Sequence, residues 1–294
     1  MEEKYLNKLM DLPYYELIKK LISENNIPQL DAADVTNMEK IGQGSQSIVY
    51  KCEYKGKVAA IKVISEIDIK CIIHEIAIIV KLDCENIPQF HGVILGSNSV
   101  SYVTEFISGK SLDEVDIINL SFKIKLKISK EISKTITYLH KCGCIHRDLK
   151  AENIMIDTEN WKVYVIDFGI AKYLNGKSSV ETRAKGTMHY LAPEIFDVIN
   201  INENQQIVSC VTKAVDVWSF ACLVSYIFSG FPPWCNKFKD KSEIIQKVLT
   251  KKEQFPIPSN IDNAEIMKII KCGTVIDFKE RKTMIEIDDM IQKL

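Results

Sequence analysis

The sequence predicts an α+β fold in two lobes: a small lobe built on an antiparallel sheet with one main helix, and a larger lobe that is mostly helical. Three observations carry this expectation. Residues 38–65 read as short strands broken by glycine turns, two more β-like runs follow before residue 108, and beyond it apolar residues recur mainly at helical spacing.

Residues 1 to about 26 mix polar and apolar positions at helical period, through Leu6, Leu9 and Met10 and then Leu17, Ile18, Leu21 and Ile22, with Pro13 at a suitable helix start. Residues 1–35 are therefore expected to form a helical extension, its helix closed by the turn-prone ENNIP. From Met38, the string IGQGSQSIVYKCEYKGKVAAIKVI reads as strand, glycine turn, strand, Lys-Gly hairpin, strand. Between Asp68 and Leu82, Ile69, Ile72, Ile73, Ile76, Ile79 and Val80 trace one face of a helix. FHGVIL and VSYVTEFI are two further strands across a GSNS turn. A lobe boundary is expected near Ile107 to Lys110, giving a small lobe at 36–108 and a large one at 109–294, with helices at 121–141, 214–229, 242–251 and 263–272.

A chain of 294 residues, 46% hydrophobic and 26% charged, can bury a substantial core, which excludes disorder throughout. Its 38 basic and 39 acidic residues nearly cancel, so no global field draws it to nucleic acid or to an anionic membrane. The 9 cysteines lack zinc spacing and read as reduced thiols, and the first residues have no secretory apolar region, so a cytoplasmic location is expected. Residues 214–231 are nearly long enough to span a bilayer, but Asp216, Ser219 and Ser225 within them favour a buried core helix.

Several residue patterns point to phosphoryl chemistry. Gly42 and Gly44, with Ser47 where a third glycine would complete GxGxxG, allow backbone N–H groups to approach phosphates. Val49 follows, and an apolar strand then delivers Lys62, a cation suited to the α and β phosphates of ATP. Glu75, flanked by Ile72, Ile76 and Ile79, is its expected carboxylate partner. In HRDLKAEN, residues 146–153, Asp148 can orient or accept the proton of an incoming hydroxyl. Lys150 places a cation beside the transferred group, and Asn153 can turn an oxygen to a metal. Asp167, ahead of Phe168 and Gly169, adds a carboxylate for Mg²⁺, with Mn²⁺ as a possible substitute.

Together these motifs resemble the eukaryotic protein kinase domain, from about Ile41 to Arg281. The resemblance implies that Lys62 and Glu75 form the activating ion pair, that Asp148 is the catalytic base and that Asn153 and Asp167 are the metal ligands. It implies an ATP site lined by Ile41, Gly42, Gly44, Ser47, Val49, Ala60, Lys62 and Met155. Thr104 would be a small gatekeeper, with hinge contacts at Glu105, Phe106 and Ile107. Ala192-Pro193-Glu194 would close an activation segment that starts at Asp167. Asp216 and Trp218 would open the buried central helix, and Arg281 would pair with Glu194.

Lys150 and Gly186-Thr187-x-x-Tyr190 resemble kinases acting on serine and threonine, with Thr187 expected near Asp148 and Lys150. The Gly-loop string, SGKSL and SGFPPW resemble most the tyrosine-kinase-like group, whose members mostly phosphorylate serine and threonine. Departures are Ser47 for glycine, Ala221 where the central helix usually has glycine, the residues Phe278 and Lys282 in place of prolines, and a short gap from Lys62 to Glu75. Arg147 is expected to receive a phosphate carried by Ser178, Ser179 or Thr182, with Thr182 favoured, placed there by an upstream kinase or by autophosphorylation. Expected partners are therefore protein substrates with a Ser/Thr acceptor, without nucleic acid or a membrane span. A pseudokinase scaffold, a dual-specificity kinase and a small-molecule phosphotransferase are the alternatives.

Overall fold

A computed structural model describes residues 14–43, 47–65, 69–96, 99–183, 187–196, 200–201, 207–234 and 253–294. Gly44, Gly186, the expected helix at 242–251 and Leu6, Leu9 and Met10 lie outside these residues. The chain divides after Ser108 into two compact units.

In the first unit, five antiparallel strands run β1 (Val35–Gln43), β2 (Ser47–Tyr54), β3 (Lys57–Ser65), β4 (Phe90–Leu95) and β5 (Ser99–Glu105), in the order β1-β2-β3-β5-β4. The β2–β3 turn is Lys55-Gly56, both with positive φ (50° and 74°), as a tight hairpin that follows strand twist requires. β1 begins at Val35, ahead of the expected Met38, because Val35 pairs with Tyr54 across the ladder. Among the described residues, the α-helices α1 (Tyr14–Asn25) and α2 (Ile69–Ile79) accompany the sheet.

Alternation along the strands sorts the side chains. Ile64, Val100 and Tyr102 join Ile72, Ile73 and Ile76 of α2 in one apolar core, while Ala59, Ile61 and Val103 form a second cluster with Cys52 and Ile94. α1 adds Leu17, Ile18, Leu21 and Ile22 to the first core. It ends in a left-handed Asn26 (φ 50°), after which the Ile27 N–H donates back to the Ile22 carbonyl at 3.0 Å, and the two isoleucines share the core. This cap is the physical content of the ENNIP signal.

The second unit holds the helices α3 (Phe122–Lys141), α4 (Ala214–Ser229), α5 (Ala264–Gly273) and α6 (Met284–Gln292). Short strands fill the intervening chain: β6 (Lys110–Ser111) with β8 (Ile154–Asp157) and β9 (Lys162–Val165), then β7 (Cys144–Ile145) with β10 (Lys172–Tyr173). A third sheet pairs β11 (Val180–Arg183) with β13 (Ile207–Val211) and β13 with β12 (Asn200–Ile201).

From Val215 to Ser225 every residue of α4 is buried, which explains its span-like composition. Among the described residues no helix is long and apolar enough to cross a membrane. α5 approaches α4 so closely that a Cβ on Gly273 would lie 2.5 Å from the Ala221 methyl. Glycine at 273 thus makes the room that the expected glycine at 221 would otherwise have made.

Candidate active site

Lys62 lies on β3, opposite Val49 and Tyr102 in the ladder, and shares the α2-facing side of the strand with Ile64. Its Nζ donates to Glu75 Oε1 and Oε2 at 2.8 and 2.9 Å. Glu75 is 2% exposed, carried inward by the α2 stripe that buries Ile72, Ile73 and Ile76. A buried carboxylate needs its lone pairs filled, and Tyr102 Oη supplies a further bond to Oε1 at 2.9 Å. Tyr102 was not among the expected site residues. Its signal was period-two alternation in β5, which sets it on one face with Thr104 two residues later.

Around this pair, Gly42 is opposite Val49, Ser47 opposite Ile64 and Ala60 opposite Thr104, while Ile41 on β1 remains 49% exposed. The Glu105 N–H donates to the Gln89 carbonyl at 2.8 Å, so the sheet takes that donor and the expected hinge contact at Glu105 narrows to its carbonyl. Lys51 Nζ lies 5.2 Å from the centre of the Phe106 ring, and Ile107 is half-buried.

In the second unit three expected residues meet at the carboxylate of a fourth, Asp148. Asp148 Oδ1 accepts from the Thr187 amide and hydroxyl, both at 3.0 Å. Its Oδ2 accepts from Asn153 Nδ2 at 3.1 Å and has Lys150 Nζ at 3.5 Å. Asn153 Nδ2 also reaches the Asp148 carbonyl at 2.8 Å, so its amide nitrogen ties the loop together while Oδ1 is left to accept a cation. The buried His146 donates from Nε2 to the Ile166 carbonyl at 3.1 Å and accepts the Asp148 N–H on Nδ1 at 3.3 Å, partners that fix its tautomer. Its ring also packs against the buried Phe168 at 5.1 Å.

Beneath this loop, Asp216 is fully buried at the start of α4. Oδ2 accepts from His140 Nε2 and the His146 N–H, each at 2.9 Å, and Oδ1 from the Arg147 N–H at 2.8 Å. Burial pushes this carboxyl upward, but the hydrogen bond and charge of His140, with His146 and the Arg147 amide, hold it below its ordinary value. Arg147 has φ 72° and Asp167 φ 64°, left-handed conformations uncommon for these residue types and sustained only where surroundings over-determine them. Burial lowers the Arg147 guanidinium to about 10, against the raising charges of Asp216 and Asp148, and Nη1 donates to the Ile170 carbonyl at 2.9 Å.

Glu194 and Arg281 form a two-pronged pair at 2.6 and 3.0 Å, and Arg281 also donates to the carbonyls of Ala214 and Val275 while lying 5.2 Å from the Trp218 ring centre. Such a pair is costly to desolvate and fixes geometry more than it adds stability. Met155 is on β8, half-buried. Ser178 is exposed, Ser179 is half-buried, and the Thr182 backbone is in β11 opposite Ser209.

Among the described residues no group of three or more His, Cys, Asp and Glu forms a metal cage. What the site offers is oxygen: Asn153 Oδ1 and the Asp167 carboxylate, one oxygen of which accepts the Gly169 N–H at 3.4 Å. An oxygen pair of this kind fits Mg²⁺, which keeps waters and phosphate oxygens in the rest of its shell.

The protein kinase domain family matches residues 35–292. A probable myosin light chain kinase from Dictyostelium discoideum is 33% identical over 232 residues, covering 74% of this chain and 56% of that protein. The serine/threonine-protein kinase CTR1 of Arabidopsis thaliana is 28% identical over 274 residues, 89% of this chain and 32% of that one. Mitogen-activated protein kinase kinase kinase 3 of Arabidopsis thaliana is 29% identical over 219 residues, 71% and 34%. The chain spans about half or less of the length of these relatives. It belongs to the protein kinase domain family, and the relatives it resembles include a serine/threonine-protein kinase.

Proposed function

We propose that this chain is an active, ATP-dependent serine/threonine kinase that phosphorylates protein substrates. One observation carries the reading: a single carboxylate, Asp148, is gripped by Thr187, Asn153 and Lys150 in an arrangement suited to phosphoryl transfer to a small hydroxyl.

When bound, Mg·ATP supplies the transferable phosphoryl group and neutralises part of its charge. Asn153 Oδ1 and Asp167 would hold the metal, and Lys62, kept in place by Glu75, would hold the α and β phosphates. Asp148 orients the acceptor hydroxyl and takes its proton as the oxygen–phosphorus bond forms and the bond to the departing diphosphate breaks. Lys150 faces the negative charge that spreads over the moving group. Thr187, bonded to Asp148 through both its amide and its hydroxyl, closes the space beside the base and supports a short serine or threonine acceptor. Ile41, an apolar side chain left half exposed, would cover the adenine.

The favoured regulation is phosphorylation of Ser178, Ser179 or Thr182 by another kinase or by the chain itself, with Arg147 as receptor. Ser47 in place of glycine is what supports the alternative of a scaffold with weak transfer. Transfer of a radiolabelled γ-phosphate to serine, threonine and tyrosine peptides decides between them. Asp148→Asn should lower transfer to serine and threonine about 10²- to 10⁴-fold. Equal signal from variant and wild type would defeat the enzymatic reading, and preferred labelling of tyrosine would defeat the choice of acceptor.

A further inference from the structure

We propose that α1 is a positioning element for phosphoryl transfer, clamping α2 so that Glu75 stays paired with Lys62; this rests on the role proposed for that pair. α2 runs only from Ile69 to Ile79, too short to be stable by itself, and its location is therefore set by what it packs against. Its fully buried Ile72, Ile73 and Ile76 share one core with two neighbours: the sheet residues Ile64, Val100 and Tyr102, and the α1 residues Leu17, Ile18, Leu21 and Ile22. Leu17 and Ile18 are also fully buried, so part of the apolar environment that holds the Glu75 helix comes from outside the sheet.

α1 is itself anchored to the sheet. After its capped end, the Leu30 N–H donates to the Val93 carbonyl at 2.8 Å and the Val93 N–H to the Pro28 carbonyl at 2.9 Å, which seats residues 28–30 alongside β4. Gly92 permits that seat: it has φ 151°, and a Cβ there would collide with the Pro28 carbonyl and the Leu30 side chain. The extension is thus tied at one end to the edge strand and packed at the other on the helix that carries Glu75. Because Glu75 also binds Tyr102 of the sheet, a displaced α2 breaks two contacts of one carboxylate together.

Two substitutions in the full chain test this from opposite ends of the clamp: Ile18→Ala at the helix and Gly92→Ala at the seat, with Glu16→Ala on the exposed face as control. Each of the first two should lower kcat/KM for ATP about tenfold and leave KM for an acceptor peptide unchanged, while the control matches wild type. The distinguishing measurement is a double-mutant cycle with Glu75→Gln. In that background, adding Ile18→Ala should cost less than about twofold, because both changes act through one pair. Amide hydrogen exchange in residues 69–79 should rise in both clamp variants and reports on α2 whether or not phosphate is transferred.

Losses that multiply in the cycle, or unchanged exchange in 69–79 with α1 disrupted, overturn the proposal and leave α1 as a stabiliser only. Should Ile18→Ala fail to fold, Gly92→Ala carries the same cycle. A wild-type chain with no more transfer than Asp148→Asn overturns the functional reading instead, and with it the meaning of the clamp.

Discussion

Lys62 and Asp148 both sit within bonding distance of opposite charge, yet the two regions hold them differently. Lys62 meets a carboxylate carried on a short helix, and that helix is located by apolar packing, which has no directional preference. Asp148 belongs to a loop whose main chain is bonded to a buried charge: the amides of His146 and Arg147 both point at Asp216, and Asn153 ties the Asp148 carbonyl. Directional bonds tie that loop's backbone to one buried carboxylate, whereas the helix under Glu75 keeps its place only as long as the neighbours it packs on keep theirs. The proposed base is therefore built in with the fold of its unit, and the proposed phosphate-binding lysine is conditional.

Removing the buried anchor should have the largest effect. Asp216→Asn turns one acceptor into a donor facing N–H groups, so denaturation should show a loss of about 3–5 kcal/mol. A loss below about 1 kcal/mol would erase the contrast between the regions. Acid sharpens the same point. Because the folded state lowers the Asp216 pKa, its contribution is complete above the unfolded value of about 3.9 and drains away as pH falls through the lower folded value. The gap in Tm between wild type and Asp216→Asn should accordingly be full from pH 5 to 7 and narrow below about pH 4.

Glu75→Gln should behave oppositely. It keeps an acceptor for Tyr102, and Lys62, with a side chain 16% exposed, can turn its ammonium to water. Turnover should fall about 10²-fold with a stability change near 1 kcal/mol; a large stability loss with normal turnover would reverse the assignment of roles.

Intermediate in size, Gly273→Ala should cost about 1–3 kcal/mol by overpacking α4 against α5, read from the denaturation midpoint. Smallest is the triple alanine change at Ser178, Ser179 and Thr182, expected to lower turnover roughly three- to tenfold after preincubation with ATP. Equal turnover would show that pairing of β11 with β13 suffices to order the segment, a second case of backbone bonds replacing a conditional charge.

What the sequence made legible were features written locally. The Lys-Gly hairpin and the isoleucine stripe of α2 both depend on neighbours within a few residues, and the structure has both of them. The meeting of Lys62 with Glu75 could be anticipated because a partly desolvated cation and a carboxylate on an apolar helix edge each need a partner. β11 pairing with β13 could not, since neither strand's pattern names a partner beyond the intervening chain. Asp216 looked like a mark of the central helix, and only the fold shows three donors converging on it. α6 was not among the expected helices, although Thr283 and Glu286 form a capping box around Met284, with Ile287 and Ile291 following at helical spacing.

The contact between α4 and α5 leaves room for one methyl group, and here residue 221 carries it while 273 goes without. Without the Ala221 methyl, a Cβ on residue 273 would still lie 3.3 Å from the Val217 carbonyl, a close approach that a small shift must relieve. Ala221→Gly combined with Gly273→Ala should then recover most of the stability that Gly273→Ala alone loses, a compensation visible in a single denaturation series. Seen this way, the alanine at 221 is half of an exchange between two helices, and the unit under constraint is the pair of positions, not either residue by itself.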